Sequence, residues 1–318
     1  MRSRLILVLF AALSLYGCTF NFPLFPGPGP LQETQVSGTG KPKILLLEIS
    51  GVISSQDEDG WGAPSTNMIA RIKEQLTRAT QDEAVKAVVL RINTPGGTVT
   101  ASDIIHHELK TFKSNRKLPI IASIMDVGAS GGYYIAAAAD SVLAHPSSVT
   151  GSIGVIMLTM NAKGLLEKVG VEATAVISGP RKDMGSPFRT MTNEERAIFQ
   201  SVIDSFYQRF LSVVQEGRPQ LDMDAIKKLA DGRIYTGDQA KAAGLVDDIG
   251  YLDDAVELAK KRAGLTEARV VTYRRPGEYK NNIYSKMLAP GPLASLGNLD
   301  LLSFVRGGAP QFMYLWMP

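Results

Sequence analysis

Short apolar runs alternate with segments of helical periodicity along the middle of the chain. The runs, each bounded by proline, glycine or charged residues, predict buried strands at 44–49, 87–92 and 120–124. The first helical segment has apolar residues three or four positions apart, at Met68, Ile69, Ile72, Leu76 and Ala79. Strands that alternate with helices predict βαβ units around a mostly parallel sheet, which is an α/β fold.

Polar residues of the types and spacing found in helix N-caps mark where the predicted helices begin. These starts lie at Ser65–Asn67, at Thr100 with Asp103, at Thr192–Glu195 and at Thr236–Gln239. Between the second and third of them, residues 172–177 have the composition of a further strand.

The N terminus has the pattern of an export signal. A basic start at residues 1–4 precedes the apolar run 5–15, which is shorter than the roughly 20 residues that span a bilayer. Residues 15–18 resemble a bacterial lipobox that ends at Cys18, the only cysteine in the chain. We therefore expect a lipoprotein signal peptide over 1–17 and lipidation of Cys18, with an ordinary export signal as the alternative.

Alternating proline and glycine follow the lipobox. Residues 18–42 predict a tether that leads away from a membrane, so that the folded part begins near Lys43. The expected location is that of an exported bacterial lipoprotein, anchored in a membrane and facing the periplasm or the cell exterior. Thr19 after the cysteine favours the outer membrane of a cell that has one.

Composition excludes several classes of function. The net charge of +3 over 318 residues, without a long basic run, does not indicate nucleic-acid binding. The chain has three histidines and no CxxC or HExxH motif, so neither a metal nor a cofactor is predicted. The adjacent His106 and His107 are interpreted as polar residues on a partly solvated helix.

Ser130 is the candidate nucleophile. It lies in a Gly128-x-Ser130-x-Gly132 pattern between a predicted strand and helix, where glycines permit a sharp turn that presents the hydroxyl. The alternative is that Ser130 only caps the helix. The one histidine downstream is His145, followed by proline, so a Ser-His-Asp triad is poorly supported and a lysine is the expected base.

Several ordered blocks of sequence resemble the signal peptide peptidase A family. They are Asn93–Gly97, Ala129–Tyr134, Thr150–Val155, Lys182–Asp183, Asp231–Gly237 and Gly244–Asp247. The resemblance covers 43–265 in one copy and implies a Ser-Lys peptidase domain there, with 266–318 as a C-terminal extension. It also implies a Clp protease/crotonase-like fold, built of repeated ββα units around a mostly parallel sheet.

The resemblance assigns roles by position. It makes Ser130 the nucleophile, Lys182 the general base, Ser152 the residue that orients the lysine, and Gly97 a backbone donor of the oxyanion hole. Gly131, at a helix N-terminus directly after the nucleophile, is a second donor on physical grounds. The neighbouring Arg181 is expected to be a surface residue.

The resemblance further implies a homo-oligomer in which the lysine crosses a subunit interface. Its substrates would be remnant signal peptides or other unstructured peptides, bound as an extra strand near Gly96–Gly97, with small apolar residues before the cut. Only a neutral amine can accept the serine proton, and a free lysine has a pKa of about 10.4, so the base must work in an apolar setting.

Two other functions remain open. One is a crotonase-like acyl-CoA enzyme, which shares the paired oxyanion donors but would require a cytoplasmic substrate. The other is an inactive peptide-binding scaffold lipoprotein.

The apolar C terminus, 313–318, is expected to dock in a protein groove, with an autoinhibitory pose as one form of docking, or to contact the membrane surface.

Overall fold

The computed structural model describes residues 30–56, 67–275 and 312–317. The predicted signal peptide, Cys18 and the first part of the predicted tether lie outside the described residues. In the part of the chain that is described, none of the helices has the length and apolar character needed to cross a bilayer.

The described strands form two sheets. In chain order they are β1 (Gln32–Gly38), β2 (Lys43–Ser50), β3 (Val85–Thr94), β4 (Gly96–Thr98), β5 (Ile120–Ala129), β6 (Ser141–Ala144), β7 (Val149–Gly151), β8 (Ile156–Met157), β9 (Ile234–Thr236), β10 (Asp248–Ile249), β11 (Arg269–Arg274) and β12 (Phe312–Leu315).

The helices follow the strands as the alternating pattern predicts. Over the same residues they are α1 (Met68–Gln81), α2 (Val99–Arg116), α3 (Gly131–Ala136), α4 (Lys163–Lys168), α5 (Asn193–Gly217), α6 (Met223–Leu229), α7 (Gly237–Ala242) and α8 (Leu252–Arg262).

Within these described ranges, the larger sheet has nine strands, in the order β1-β11-β2-β3-β5-β6-β10, and β7 and β9 continue from the end of β5. The pairs from β11 through β10 and the pair of β5 with β7 are parallel, whereas β1 pairs with β11 and β9 with β7 in the antiparallel sense. The predicted α/β fold with a mostly parallel sheet is confirmed.

Helices cover both faces of the sheet, which explains why its central strands are apolar throughout. Leu45, Leu47 and Leu90 point to the face that packs against α1, α2, α3 and α5. Ile44 and Leu46, on the opposite face, pack against α8. Parallel strands buried on both sides give continuous apolar runs rather than alternation, and this is why those runs could be found in the sequence.

The sheet extends beyond the predicted peptidase domain at both ends. β1 lies within the predicted tether and β11 within the predicted C-terminal extension, and the two pair along 32–38 and 269–274. The predicted boundaries at 43 and 265 therefore move outward to include both strands. β1 is a half-exposed edge strand with mostly polar side chains, so its sequence lacks the apolar run that marks a buried strand.

Two local predictions are also corrected. Residues 172–177 form no strand; they are exposed and lack a pairing partner among the described strands. Helix α2 begins at Val99, with the Thr98 side chain accepting from the Ala101 N–H, rather than with a box at Thr100. The predicted caps at Asn67, Thr192 and Thr236 are confirmed.

The edge strand gives a test of the corrected boundary. A chain that begins at Lys43 loses the β1–β11 pairing and the ion pair from Lys43 Nζ to Glu33 Oε2, which is 2.7 Å long. We expect its unfolding free energy to fall by about 2 kcal/mol, which corresponds to about 4–8 °C in Tm. The matched control begins at Pro30, and thermal unfolding is followed by circular dichroism. Equal melting temperatures would contradict a structural role for β1.

Candidate active site

Ser130 lies on a sharp turn between strand β5 and helix α3. Its φ of 53° and ψ of −113° are unusual for a residue with a side chain, and its N–H donates to the Gly151 carbonyl at 2.7 Å. Such a conformation costs about 1–3 kcal/mol and persists where the surrounding structure holds it. The predicted strand–turn–helix presentation of the serine is therefore present.

The Ser130 hydroxyl is buried and has no hydrogen-bond partner among the described residues. Although Ser130 stands at the N-cap position of α3, its side chain makes no capping bond, so the interpretation that Ser130 only caps the helix is wrong. An unpaired buried hydroxyl costs about 1–3 kcal/mol and needs an explanation of its own. A catalytic role supplies that explanation.

Strand β4 places the predicted oxyanion donor beside Ser130. Ile53 forms hydrogen bonds with the residues on either side of Gly97. Its N–H donates to the Gly96 carbonyl at 2.8 Å, and its carbonyl accepts from Thr98 N at 2.9 Å. Backbone groups alternate in direction along a strand, so the N–H of Gly97 points away from Ile53. A Cβ placed on Gly96 would lie 2.8 Å from Gly131 N, so the two predicted donors converge.

Gly96 is a site residue that the sequence analysis named only as part of a motif. Its φ is +105°, and a Cβ there would lie 2.0 Å from the Tyr314 carbonyl oxygen. Thr94 fixes the same turn, since its hydroxyl accepts from Gly96 N at 3.0 Å and donates to the Gly51 carbonyl at 2.5 Å. The available signal was the Pro-Gly-Gly sequence directly after a buried strand.

Ser152 directly follows β7 and is close to the nucleophile along the backbone. It is buried with a φ of 49°, and its N–H donates to Arg233 O at 2.7 Å. The residue before it, Gly151, provides the carbonyl that holds Ser130. One backbone hydrogen bond therefore joins the N–H of Ser130 to the carbonyl that directly precedes Ser152.

The predicted base, Lys182, lies on an exposed turn. Because the Ser130 hydroxyl has no partner among the described residues, the Lys182 amine is not within hydrogen-bond distance of it in the single chain. Arg181 is exposed and pairs with the exposed Glu194, in agreement with its predicted place on the surface. The structure thus brings together every predicted site residue in its described part except Lys182.

An ion cluster attaches the lysine turn to helix α5. Arg189 Nε and Nη2 each donate to the Asp183 carboxylate at 2.7 Å, and Arg189 Nη1 donates to Glu195 Oε2 at 2.9 Å. Hydrogen bonds from Arg189 and the Thr192 N–H lower the pKa of the Glu195 carboxyl from 4.5 to about 2, and Arg189 also lowers the pKa of Asp183. The cluster is thus complete above pH 4.5 and is lost as the pH falls towards 2.

The segment that carries Lys182 has an unusually apolar surface. Helix α4 has no buried residue. Large apolar side chains of this segment, from 158 to 188, are exposed: Leu158, Met160, Leu165, Val169, Val171, Val176, Ile177 and Phe188. We call residues 158–190 the lysine arm. A surface of this kind is typical of a protein–protein contact.

The C-terminal residues occupy the groove beside the predicted oxyanion donors. Strand β12 lies between β4 and β8 and is antiparallel to both, with Tyr314 opposite Gly97 and Met313 opposite Ile156. Among the described residues these three strands form the second sheet. The tail thus docks on protein within its own chain, as an added strand at the place where the sequence analysis expected a peptide.

The Tyr314 side chain fills a pocket lined with aromatic rings. It is fully buried, stacks on Tyr134 at a centroid distance of 5.0 Å, and lies 4.7 Å from the Phe210 ring. Its hydroxyl donates to the Phe206 carbonyl at 2.9 Å. His106, predicted as a polar residue on a partly solvated helix, is instead buried with its ring 5.3 Å from the Tyr134 ring, and burial lowers its pKa to about 4.

The described part of the chain contains no group of three or more His, Cys, Asp or Glu placed to hold a metal ion. What the site does contain is a buried unpaired hydroxyl, converging backbone N–H groups and a groove that accepts an extended strand. These are the elements of a peptide-bond hydrolase that acts through a nucleophile.

Comparison with known proteins agrees with this assignment. Residues 112–266 match the family model "Peptidase family S49", and residues 62–150 match that of "Clp protease". A protein of Enterococcus faecium that carries the name of a signal peptide peptidase, SppA, is 41% identical over 243 residues, which are 76% of this chain and 70% of that protein. The chain therefore belongs to peptidase family S49.

Two longer relatives match over a similar part of the chain. "Protease 4" of Salmonella typhi is 37% identical over 73% of this chain and 36% of its own length. "Serine protease SPPA, chloroplastic" of Arabidopsis thaliana is 32% identical over 73% of this chain and 34% of its own length. The chain thus spans about a third of each. These matches favour a peptidase over the acyl-CoA alternative.

A substitution at the Gly96 turn tests whether peptide substrates bind in the groove beside it. Gly96→Ala adds a Cβ at the place where the extended strand passes. It also forces alanine to adopt a positive φ, which costs about 1–2 kcal/mol. We expect peptide hydrolysis to fall by more than about tenfold, with Tm lower by about 2–8 °C. The control is Gly264→Ala, which strains the same kind of positive φ, +68°, but places no atom within 4 Å of the new Cβ. Full activity of Gly96→Ala would show that peptides bind elsewhere.

Proposed function

We propose that the protein is a serine endopeptidase with a Ser-Lys dyad that cleaves remnant signal peptides or other unstructured peptides. The observation that carries the proposal is the buried, unpaired hydroxyl of Ser130 on its strained turn. A merely structural serine gains nothing from that placement, whereas a nucleophile must remain free to attack.

In the proposed reaction, Ser130 Oγ attacks the carbonyl carbon of the scissile bond while a neutral lysine amine accepts its proton. The Gly97 and Gly131 N–H groups donate to the oxygen that becomes negatively charged. The protonated amine then gives its proton to the leaving nitrogen, the C–N bond breaks, and water hydrolyses the Ser130 ester. Ser152 orients the amine throughout.

We propose that the base is Lys182 of a neighbouring subunit. Within one chain Lys182 is exposed and does not reach Ser130, while the lysine arm around it presents apolar side chains to solvent. Packing of the arm against a second copy would bury that surface and bring the amine into an apolar setting. Burial favours the neutral amine that general-base catalysis needs.

We further propose that lipidated Cys18 anchors the enzyme to a membrane, on the periplasmic or outer side. The support is the lipobox-like sequence before Cys18 and the Pro/Gly-rich segment that follows it. Anchoring would place the groove near the membrane, where signal peptides remain after export. The Enterococcus relative bears the name of an enzyme for that substrate class.

The nucleophile can be tested by substitution. Ser130→Ala removes one unpaired hydroxyl, so we expect hydrolysis of a fluorogenic peptide to fall by at least about 10³-fold while Tm holds or rises. The matched control is Ser147→Ala on an exposed turn, and labelling by a serine-reactive probe provides a second readout. Near-normal hydrolysis by Ser130→Ala would refute the assignment. Absence of both hydrolysis and labelling in the wild type would instead favour the inactive scaffold.

The origin of the base can be tested by mixing two inactive variants. Ser130→Ala keeps the lysine and Lys182→Ala keeps the serine, so subunits that exchange would form some complete sites if the dyad crosses an interface. We expect up to about a quarter to a half of wild-type activity after the two proteins are unfolded together and refolded. Lys182→Arg alone should stay inactive, because a guanidinium does not lose its proton. Failure of the mixed sample, with the oligomer intact, would contradict a shared dyad.

A further inference from the structure

We propose that Arg189 is a positioning residue for catalysis, which holds the lysine turn so that Lys182 reaches Ser130 of a neighbouring subunit. The proposal rests on the proposed function, because it requires the shared Ser-Lys dyad. It adds a residue that touches neither the substrate nor the reacting atoms. It also gives the Arg189 cluster, which is Arg189 with Asp183 and Glu195, a role beyond stability.

The Arg189 guanidinium lies between two carboxylates and bonds both oxygens of each. Nε and Nη2 donate to Asp183 Oδ2 and Oδ1, both at 2.7 Å, while Nη1 donates to Glu195 Oε2 at 2.9 Å and Nη2 to Glu195 Oε1. Nη2 also donates to the backbone carbonyl of Asp183 at 3.3 Å. Bidentate pairs of this kind fix the orientation of the partners as well as their distance. Arg189 therefore holds both the side chain and the backbone of Asp183.

Glu195 attaches the cluster to the start of helix α5. Its side chain is buried, and it completes the capping box in which the Thr192 N–H donates to Glu195 Oε2 at 2.9 Å. Farther along the same helix, Phe210 and Leu211 are fully buried in the main core. One continuous run of helical hydrogen bonds thus connects the cluster to the core.

The lysine arm is otherwise an exposed segment. Helix α4 has no buried residue, and the large apolar side chains of the arm face solvent. Lys182 is exposed, and its N–H donates to the Gly179 carbonyl at 3.1 Å within the same turn. Asp183 is the next residue along the chain. The bonds from Arg189 therefore act one residue away from the proposed base.

The ion pair of Arg181 with Glu194 also joins this turn to α5, but it is of a different kind. Both of its side chains are more than half exposed, whereas those of Asp183 and Glu195 are 17% and 5% exposed. Exposed single pairs contribute little, because water and salt screen them. We therefore assign the positioning to Arg189, and Arg181 provides the matched control.

The position of the base controls the rate, because proton transfer needs the amine at hydrogen-bond distance from Ser130 Oγ. A displacement of about 1 Å can lower a rate by about 10²-fold. We therefore expect Arg189→Ala to lower kcat by about 10²-fold and to change KM by less than about threefold, since the peptide groove is untouched. Arg181→Ala, which removes the same charge from the same turn, should lower kcat by about fivefold or less. Arg189→Lys keeps the charge without the fork, so it should stay at least about tenfold below the wild type.

The decisive test places one substitution on either side of the subunit interface. In the reference mixture of Ser130→Ala with Lys182→Ala, complete sites form only between Lys182 of the first protein and Ser130 of the second. Arg189→Ala added to the Ser130→Ala protein alters the arm with the working lysine, so we expect about 10²-fold less activity than the reference. Arg189→Ala added to the Lys182→Ala protein alters an arm without the lysine, so activity should stay within about twofold of the reference.

The outcomes separate this proposal from the one on which it rests. Both test mixtures contain the same share of Arg189→Ala chains, so an effect on folding or assembly would lower both equally. Equal loss, or equal retention, overturns the positioning role and leaves the shared dyad standing. An inactive reference mixture, with the oligomer intact by size-exclusion chromatography, overturns the shared dyad and this inference together. Hydrolysis by Ser130→Ala alone would instead overturn the proposed nucleophile.

Discussion

The hydrogen bond from the Ser130 N–H to the Gly151 carbonyl is the interaction on which the site depends. It continues the parallel pairing of β5 with β7 by one residue and holds Ser130 in a conformation that it would not adopt alone. The same pairing holds Gly151, the residue before Ser152, against Ser130, and the turn that follows aims the first N–H of α3 towards Gly96. A small shift of β7 would therefore displace Ser130, Ser152 and the Gly131 N–H together, which are the proposed nucleophile, lysine-orienting residue and oxyanion donor.

A structural element is predicted best from the sequence when all the residues that indicate it lie in one short segment. The runs that became β2, β3 and β5 are buried on both faces, and the capping box at Thr192 is complete within four residues. Edge strand β1 was missed because its pairing partner, β11, lies more than 200 residues away. Ser130 can be predicted because its turn needs adjacent glycines. The pocket around Tyr314 cannot, because its rings come from three separate helices, α2, α3 and α5, and no single segment has a recognisable pattern.

The two halves of the proposed dyad differ in how they are held. Ser130 is buried, next to α3 residues of the main core, while Lys182 lies on an exposed arm that the Arg189 cluster connects to the start of α5. Helix α5 in turn reaches the aromatic pocket through Phe210. Helix α5 therefore contacts both the cluster beside the lysine turn and the pocket that holds Tyr314.

The position of β12 also bears on solubility. Without it, β4 and β8 would present unpaired backbone N–H and carbonyl groups along a groove with apolar walls. Open strand edges of that kind pair readily with any extended chain and promote aggregation. A peptidase that takes up extended substrates along this edge, as proposed, would need to keep the edge open to pairing. Because β12 pairs with both strands, the chain itself covers an edge that could otherwise bind other extended chains.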